Sequence, residues 1–141
     1  MASNLVDRLK LMLSTGNGAD IQFLVGQGEE KELLKAHKCI MMTASNVFES
    51  MFRFDDKNPK TETPTAKTDG SVEIPDISAN AFKVMLSFIY AEDLSELNGD
   101  NAMAVLYAAN KYNVSSLVKA CSEFPINELS NVSSHMTRLA F

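Results

Sequence analysis

The sequence predicts a mixed α/β (α+β) domain, a small β-sheet held against a cluster of helices. Three observations carry that prediction. Residues 19–26 (ADIQFLVG) alternate and are rich in Ile, Phe and Val, and residues 31–35 return after a Gly-containing turn, the pattern of a β-hairpin. From Leu34 onward the apolar residues fall into helical spacing, broken once by the short apolar stretch Val72-Glu73-Ile74. With 141 residues, 45% of them hydrophobic, the chain can bury the core of one domain and is too short for two.

The first element is a helix from about Asn4 to Ser14. Asn4 can cap it, Asp7 suits the positive end of its dipole, and Gly16-Asn17-Gly18 ends it. Leu5, Leu9 and Met12 share one face, Val6 and Leu13 widen that face, and Leu11 lies outside it. This is more apolar surface than a peripheral helix needs, so the helix either wraps into its own core or is shared with a second copy of the chain.

The hairpin follows, with Gln27 to Glu30 as its turn. Ala36 to Met42 forms a short helix, and Ser45, after a Thr43-Ala44 link, caps another that runs to Phe52 with Val47, Phe48, Met51 and Phe52 facing inward. Residues 53–71 change character, with two prolines, four threonines and alternating charges. They predict a long surface loop that exposes Thr61, Thr63, Thr65 and Thr68, an insertion rather than a functional loop.

Val72 to Ile74 is a short strand ended by Pro75-Asp76. Ser78 caps a helix in which Phe82, Met85, Leu86, Ile89 and Tyr90 recur at helical spacing. After an acidic loop from Glu92, Asp100 is placed to cap the next helix, with Ala102, Val105, Leu106 and Ala109 on its inner face and Asn113 as its stop. Val114, Leu117, Val118 and Cys121 give a last helical face, interrupted by Pro125. The expected order is therefore helix, hairpin, two helices, short strand, three helices.

No set of residues in the sequence suits catalysis. His37 and Cys39 stand two apart, which on a helix turns them about 200° away from each other, so they cannot form a local thiolate–imidazole pair. Cys39 and Cys121 have apolar neighbours and no metal-ligand spacing, and both read as reduced, buried thiols. Glu29-Glu30, Asp55-Asp56 and Glu92-Asp93 sit in polar segments where water leaves them as ordinary carboxylates. There is no phosphate-cradling or nucleophile-elbow motif. Thirteen basic against eighteen acidic residues, a net charge of −5, argue against a nucleic-acid surface, and no apolar run is long enough to span a bilayer. No cofactor or metal is expected. Binding is the remaining activity, and the apolar excess of the first helix is its clearest sign.

Four stretches in order resemble the BTB (POZ) domain family. ADIQFLVG is similar to its first strand, with Asp20 at an acidic position, and LLKAHKCIMMTASNVFESMF is similar to its signature segment, with His37, Lys38 and Ser45. VEIPDISANAFKVMLSFIY and DNAMAVLYAANKYNVSSLVKAC resemble its later strand and closing helices. The resemblance implies a BTB/POZ domain over residues 1–124, with 125–141 the start of a BACK-like helical region or an appended tail. Within the family the wording is most like adaptors that carry BTB, BACK and PHR domains. It implies a non-enzymatic, cytoplasmic or nuclear protein-interaction domain that homodimerises and brings substrates, held by other domains, to a cullin-3 ubiquitin ligase. By that resemblance Leu5, Val6, Leu9, Met12 and Leu13 form the dimer surface, and Met51, Phe52, Phe54 and Asp56 contribute to the surface for the cullin N-terminal domain. It also implies that His37 is structural and hydrogen-bonds a backbone group near the hairpin.

Two departures from the family pattern stand out. Cullin-binding members often carry an apolar residue, any residue, then Glu after the Met-Phe pair, where this chain has Phe54-Asp55-Asp56. Members with a charged corepressor pocket pair Asp with Arg, where this chain has Asp20 and Lys38, and Lys lacks the planar guanidinium fork. The alternatives to the adaptor reading are a self-assembly scaffold and a corepressor-binding module, both without cullin binding.

Overall fold

A computed structural model of the chain describes residues 4–57 and 71–124. Helix α1 (Leu5–Thr15) begins at Asn4, whose side chain accepts the backbone N–H of Asp7 at 2.8 Å, and ends at Gly16 in the left-handed conformation that glycine adopts without strain. Strands β1 (Ile21–Val25) and β2 (Glu32–Ala36) form the hairpin, and a single 3₁₀ turn (Gly28–Glu30) joins them. Helices α2 (Lys38–Ala44) and α3 (Asn46–Lys57) precede strand β3 (Val72–Ile74), and α4 (Ala79–Ala91), α5 (Ala102–Lys111) and α6 (Ser115–Ser122) complete the order expected from the sequence. The segments 58–70, with the four threonines, and 125–141 lie outside the described residues.

The sheet order is β2-β1-β3, with β1 antiparallel to β2 and parallel to β3. In β1 Ile21, Phe23 and Val25 turn inward, as period-2 alternation requires, and meet Val72 and Ile74 of β3 on the same face. The helices cover that face through an aromatic centre. Phe48 of α3 stacks on Tyr112 with ring centroids 4.4 Å apart, and Phe23 contacts both Phe48 (5.6 Å) and Phe82 of α4 (5.1 Å). Each buried ring of this size contributes about 2–3 kcal/mol by removal from water, with a further ~1 kcal/mol where two meet in favourable geometry.

Four expectations need correction. Helix α3 runs to Lys57 instead of stopping at Phe52, because Glu49 and Arg53 form an i,i+4 ion pair at 2.8 Å and no helix breaker occurs before Pro59. Helix α2 starts at Lys38 rather than Ala36, since β2 continues through Ala36 in register with Ile21. Asn101, not Asp100, stands at the N-cap of α5; its Oδ1 accepts from Asn98 N–H at 2.9 Å, and Asn98 Oδ1 in turn accepts from Asp100 and Asn101. Finally, Cys39 is exposed. With Met41 fully buried on α2, a residue two positions earlier is rotated to the opposite side of the helix.

Candidate interaction surfaces

Of the residues that resemble the family signature, His37 and Ser45 are buried, Lys38 is half-buried and Asp20 is exposed. His37 is 5% exposed and Tyr90 of α4 is 3% exposed. His37 Nε2 lies 2.7 Å from the Asn17 carbonyl, in the turn between α1 and β1. A carbonyl can only accept, so Nε2 carries the proton, and in the neutral ring Nδ1 then accepts from the Tyr90 hydroxyl at 2.6 Å. The Tyr90 oxygen also accepts the backbone N–H of His37 at 2.8 Å. Burial pushes the Tyr90 hydroxyl up to about 12, against the lowering effect of that N–H, which keeps it a donor at neutral pH. Both ring nitrogens and the hydroxyl are thus used to fasten the α1–β1 turn, the end of the hairpin and α4 together.

Asp20 and Ser45 act as helix caps in the same neighbourhood. Asp20 Oδ1 accepts Lys38 N–H at 2.8 Å, which sets a carboxylate at the positive end of α2. Lys38 extends its ammonium over the ring of Phe52, 5.7 Å from the centroid. Ser45 is 2% exposed; its oxygen accepts the N–H of Phe48 at 3.0 Å and its hydroxyl donates to the Tyr112 carbonyl, joining the start of α3 to the end of α5. Burial raises the Cys121 thiol above its ordinary value, as expected of an inert core cysteine.

Exposed apolar residues lie at the start of α1 and on α3. Helix α1 rests on α4 through Met12 and Leu13, and none of its residues is buried. Leu9 is half-buried, whereas Leu5 is 60% and Val6 45% exposed. The C-terminal half of α1 thus packs on the domain, while the N-terminal part of its apolar face, Leu5 and Val6, stays exposed. The end of α3 presents Phe54, 49% exposed, beside half-buried Met51. Phe52, which the resemblance put on a docking surface, is 1% exposed and stacked on Phe48, so it belongs to the core instead. Asp56 lies on α3, and its side chain is outside the described part.

Two features of the last helices were not anticipated. Tyr107 and Lys111 of α5 both reach Asp76 after β3, the hydroxyl donating at 2.7 Å and the ammonium at 2.7 and 2.8 Å. Burial by itself raises the Asp76 carboxyl, but the hydrogen bonds from Lys111 and Tyr107 outweigh it and hold the group below the usual carboxylate range. Their i,i+4 spacing off the apolar face of α5 was the available signal. Met103, 66% exposed, lies on the same outer side.

The family model described as BTB/POZ domain matches residues 9–129. The chain belongs to the BTB/POZ family. BTB domains are protein–protein interaction modules that typically self-associate. The chain is 37% identical over 118 residues to BTB/POZ domain-containing protein 6-A of Danio rerio, covering 84% of this chain and 20% of that protein. It is 35% identical over 118 residues to BTB/POZ domain-containing protein 6 of Homo sapiens, with coverages of 84% and 20%, and 34% identical over 124 residues to human BTB/POZ domain-containing protein 3, with coverages of 88% and 22%. The chain thus spans about one fifth of the length of these relatives. Among solved structures, the BTB domain of zebrafish PATZ1 superposes with a TM-score of 0.64 at 23% identity, covering 84% of this chain and 85% of that one, and shares the fold.

Proposed function

We propose that this BTB domain homodimerises through α1 and docks the N-terminal domain of cullin-3 through the end of α3. It would serve as the docking part of a larger substrate adaptor for a ubiquitin ligase in the cytoplasm or nucleus. The observation that carries the reading is α1, an amphipathic helix with no buried residue, whose Leu5 and Val6 stand in water on the isolated chain. Burying apolar area stabilises by about 25 cal/mol per Å², and a two-fold contact uses each such residue twice. The exposed Phe54 beside Met51 supplies an aromatic anchor of the kind that dominates interface energetics. Substrate recognition belongs to domains outside this chain, and the resemblance to adaptors with BACK and PHR domains supports that arrangement.

One observation favours a second reading, a self-assembly module without cullin affinity. Phe54-Asp55-Asp56 only approximates the apolar-x-Glu pattern of cullin binders. Sedimentation equilibrium of the protein, with calorimetric titration of the cullin-3 N-terminal domain, separates the two. The adaptor reading expects a dimer and one cullin per chain, with Met51→Ala plus Phe54→Ala weakening the binding by roughly tenfold or more. A dimer giving no heat at two temperatures leaves the assembly module, and a monomer at micromolar concentration removes both.

A further inference from the structure

The sequence has two Asn-Gly steps, Asn17-Gly18 and Asn98-Gly99. An Asn-Gly step is the most open to attack by a backbone nitrogen on the preceding carboxamide, because glycine places no Cβ beside the attacking atom. Both asparagines are exposed, but their carboxamides are held very differently. Asn98 Oδ1 accepts from the N–H of Asp100 at 2.8 Å and of Asn101 at 3.0 Å, and Asn98 Nδ2 lies 3.4 Å from the Glu96 carbonyl. Turning this carboxamide toward Gly99 N breaks two hydrogen bonds that organise the start of α5. The Asn17 carboxamide makes no hydrogen bond among the described residues. Only its backbone is engaged, the N–H to Thr15 Oγ1 at 3.2 Å and the carbonyl to His37 Nε2. The Gly18 N–H has no backbone partner among the described residues either.

We propose that Asn17 is a site of spontaneous deamidation, and that its isoaspartyl product unfastens the root of α1. The Gly18 nitrogen attacks Asn17 Cγ. A new C–N bond closes a five-membered succinimide, the bond from Cγ to the side-chain nitrogen breaks, and ammonia leaves with the proton from Gly18. Water then opens the ring at either carbonyl, giving aspartate or isoaspartate, and no oxidant or reductant takes part. In isoaspartate the main chain runs through Cβ and Cγ, and the former backbone carbonyl becomes a free carboxylate. That carbonyl is the acceptor His37 uses to tie the α1–β1 turn to the core.

Incubation of the folded protein at mildly alkaline pH, followed by peptide mass mapping, tests the site. Residues 11–31 form a tryptic peptide in which Asn17 is the one asparagine. Conversion at Asn17 is expected to run on the order of tenfold faster than at Asn98, which must first give up two hydrogen bonds. Asn98 converting at an equal or greater rate, or Asn17 staying intact, overturns the proposal. For the consequence, hydrogen exchange across residues 9–15 is expected to speed up several-fold in the isolated isoaspartyl form. Asn17→Gln, which keeps the backbone carbonyl and would have to close a larger ring, is expected to remain unmodified with native α1 protection. Unchanged exchange in the isoaspartyl form overturns the link to α1.

Discussion

At the hairpin end of the sheet, His37 and Tyr90 are buried with both ring nitrogens and the hydroxyl in hydrogen bonds, whereas on α1 the leucine and valine nearest the N-terminus stand about half in water. The residue types suggest the reverse, with imidazole and hydroxyl available for chemistry and aliphatic side chains hidden. The contrast shows what this fold does with each kind of group. Polar side chains satisfy backbone atoms where three elements meet, a job that apolar residues cannot do, because an unpaired buried carbonyl or N–H costs about 1–3 kcal/mol. Apolar side chains are left at the surface at the start of α1 and also on α3 and α5, at Phe54 and Met103.

The comparison breaks first at His37. His37→Ala removes the donor to Asn17 and the acceptor for Tyr90, and is expected to lower the free energy of unfolding in urea by roughly 3 kcal/mol. A loss below about 1 kcal/mol would mean that the cluster is not a fastener. Ser45→Ala removes a cap and the donor to Tyr112 and is expected to cost about 1–2 kcal/mol by the same measurement. By contrast, Leu5→Ser with Val6→Ser should change the unfolding free energy of the monomer by no more than about 0.5 kcal/mol, while shifting sedimentation from dimer to monomer. A large loss of intrinsic stability would place those side chains in the core after all.

A small effect is also expected on the surface at Asp76, where Asp76→Asn should cost less than about 1 kcal/mol at neutral pH because the Lys111 pair is solvent-screened. The Asp76 carboxyl is held below its ordinary range, so its contribution is complete above the unfolded-state value near ~3.9 and fades as pH falls through the lower folded-state value. Wild type and Asp76→Asn are therefore expected to converge in acid, and a difference that persists there would assign the effect to packing by Tyr107.

Much of the fold was legible because local signals agree with it. Asn4 and Ser78 cap the helices they were expected to cap, Gly16 and Asn113 stop helices with left-handed backbones, and β1 turns Phe23 and Val25 inward as its alternation requires. Other features depend on distant partners or on register. Nothing in the sequence pairs His37 with Tyr90, since the two meet only when α4 packs beside the hairpin. Cys39 reads as core from its neighbours Ile40 and Met41, yet beginning α2 at Lys38 with Met41 inward turns the thiol out. Residues 53–57 show no apolar periodicity in the sequence and were read as loop, yet α3 continues through them. The apolar face of α1 was legible as an excess, but its exposure depends on how the helix rests on α4.

The parallel pairing of β1 with β3, in which Phe23 aligns with Val72, also has a kinetic side. β1 can pair with β2 locally, but it can pair with β3 only by closing a loop that contains β2, α2, α3 and the whole Pro- and Thr-rich segment, and such long-range pairings are the ones expected to form slowly. The entropy of closing such a loop grows only logarithmically, by about 0.6 kcal/mol for each doubling of its length. Residues added between α3 and β3 are therefore expected to slow assembly slightly and to leave the finished sheet almost as stable.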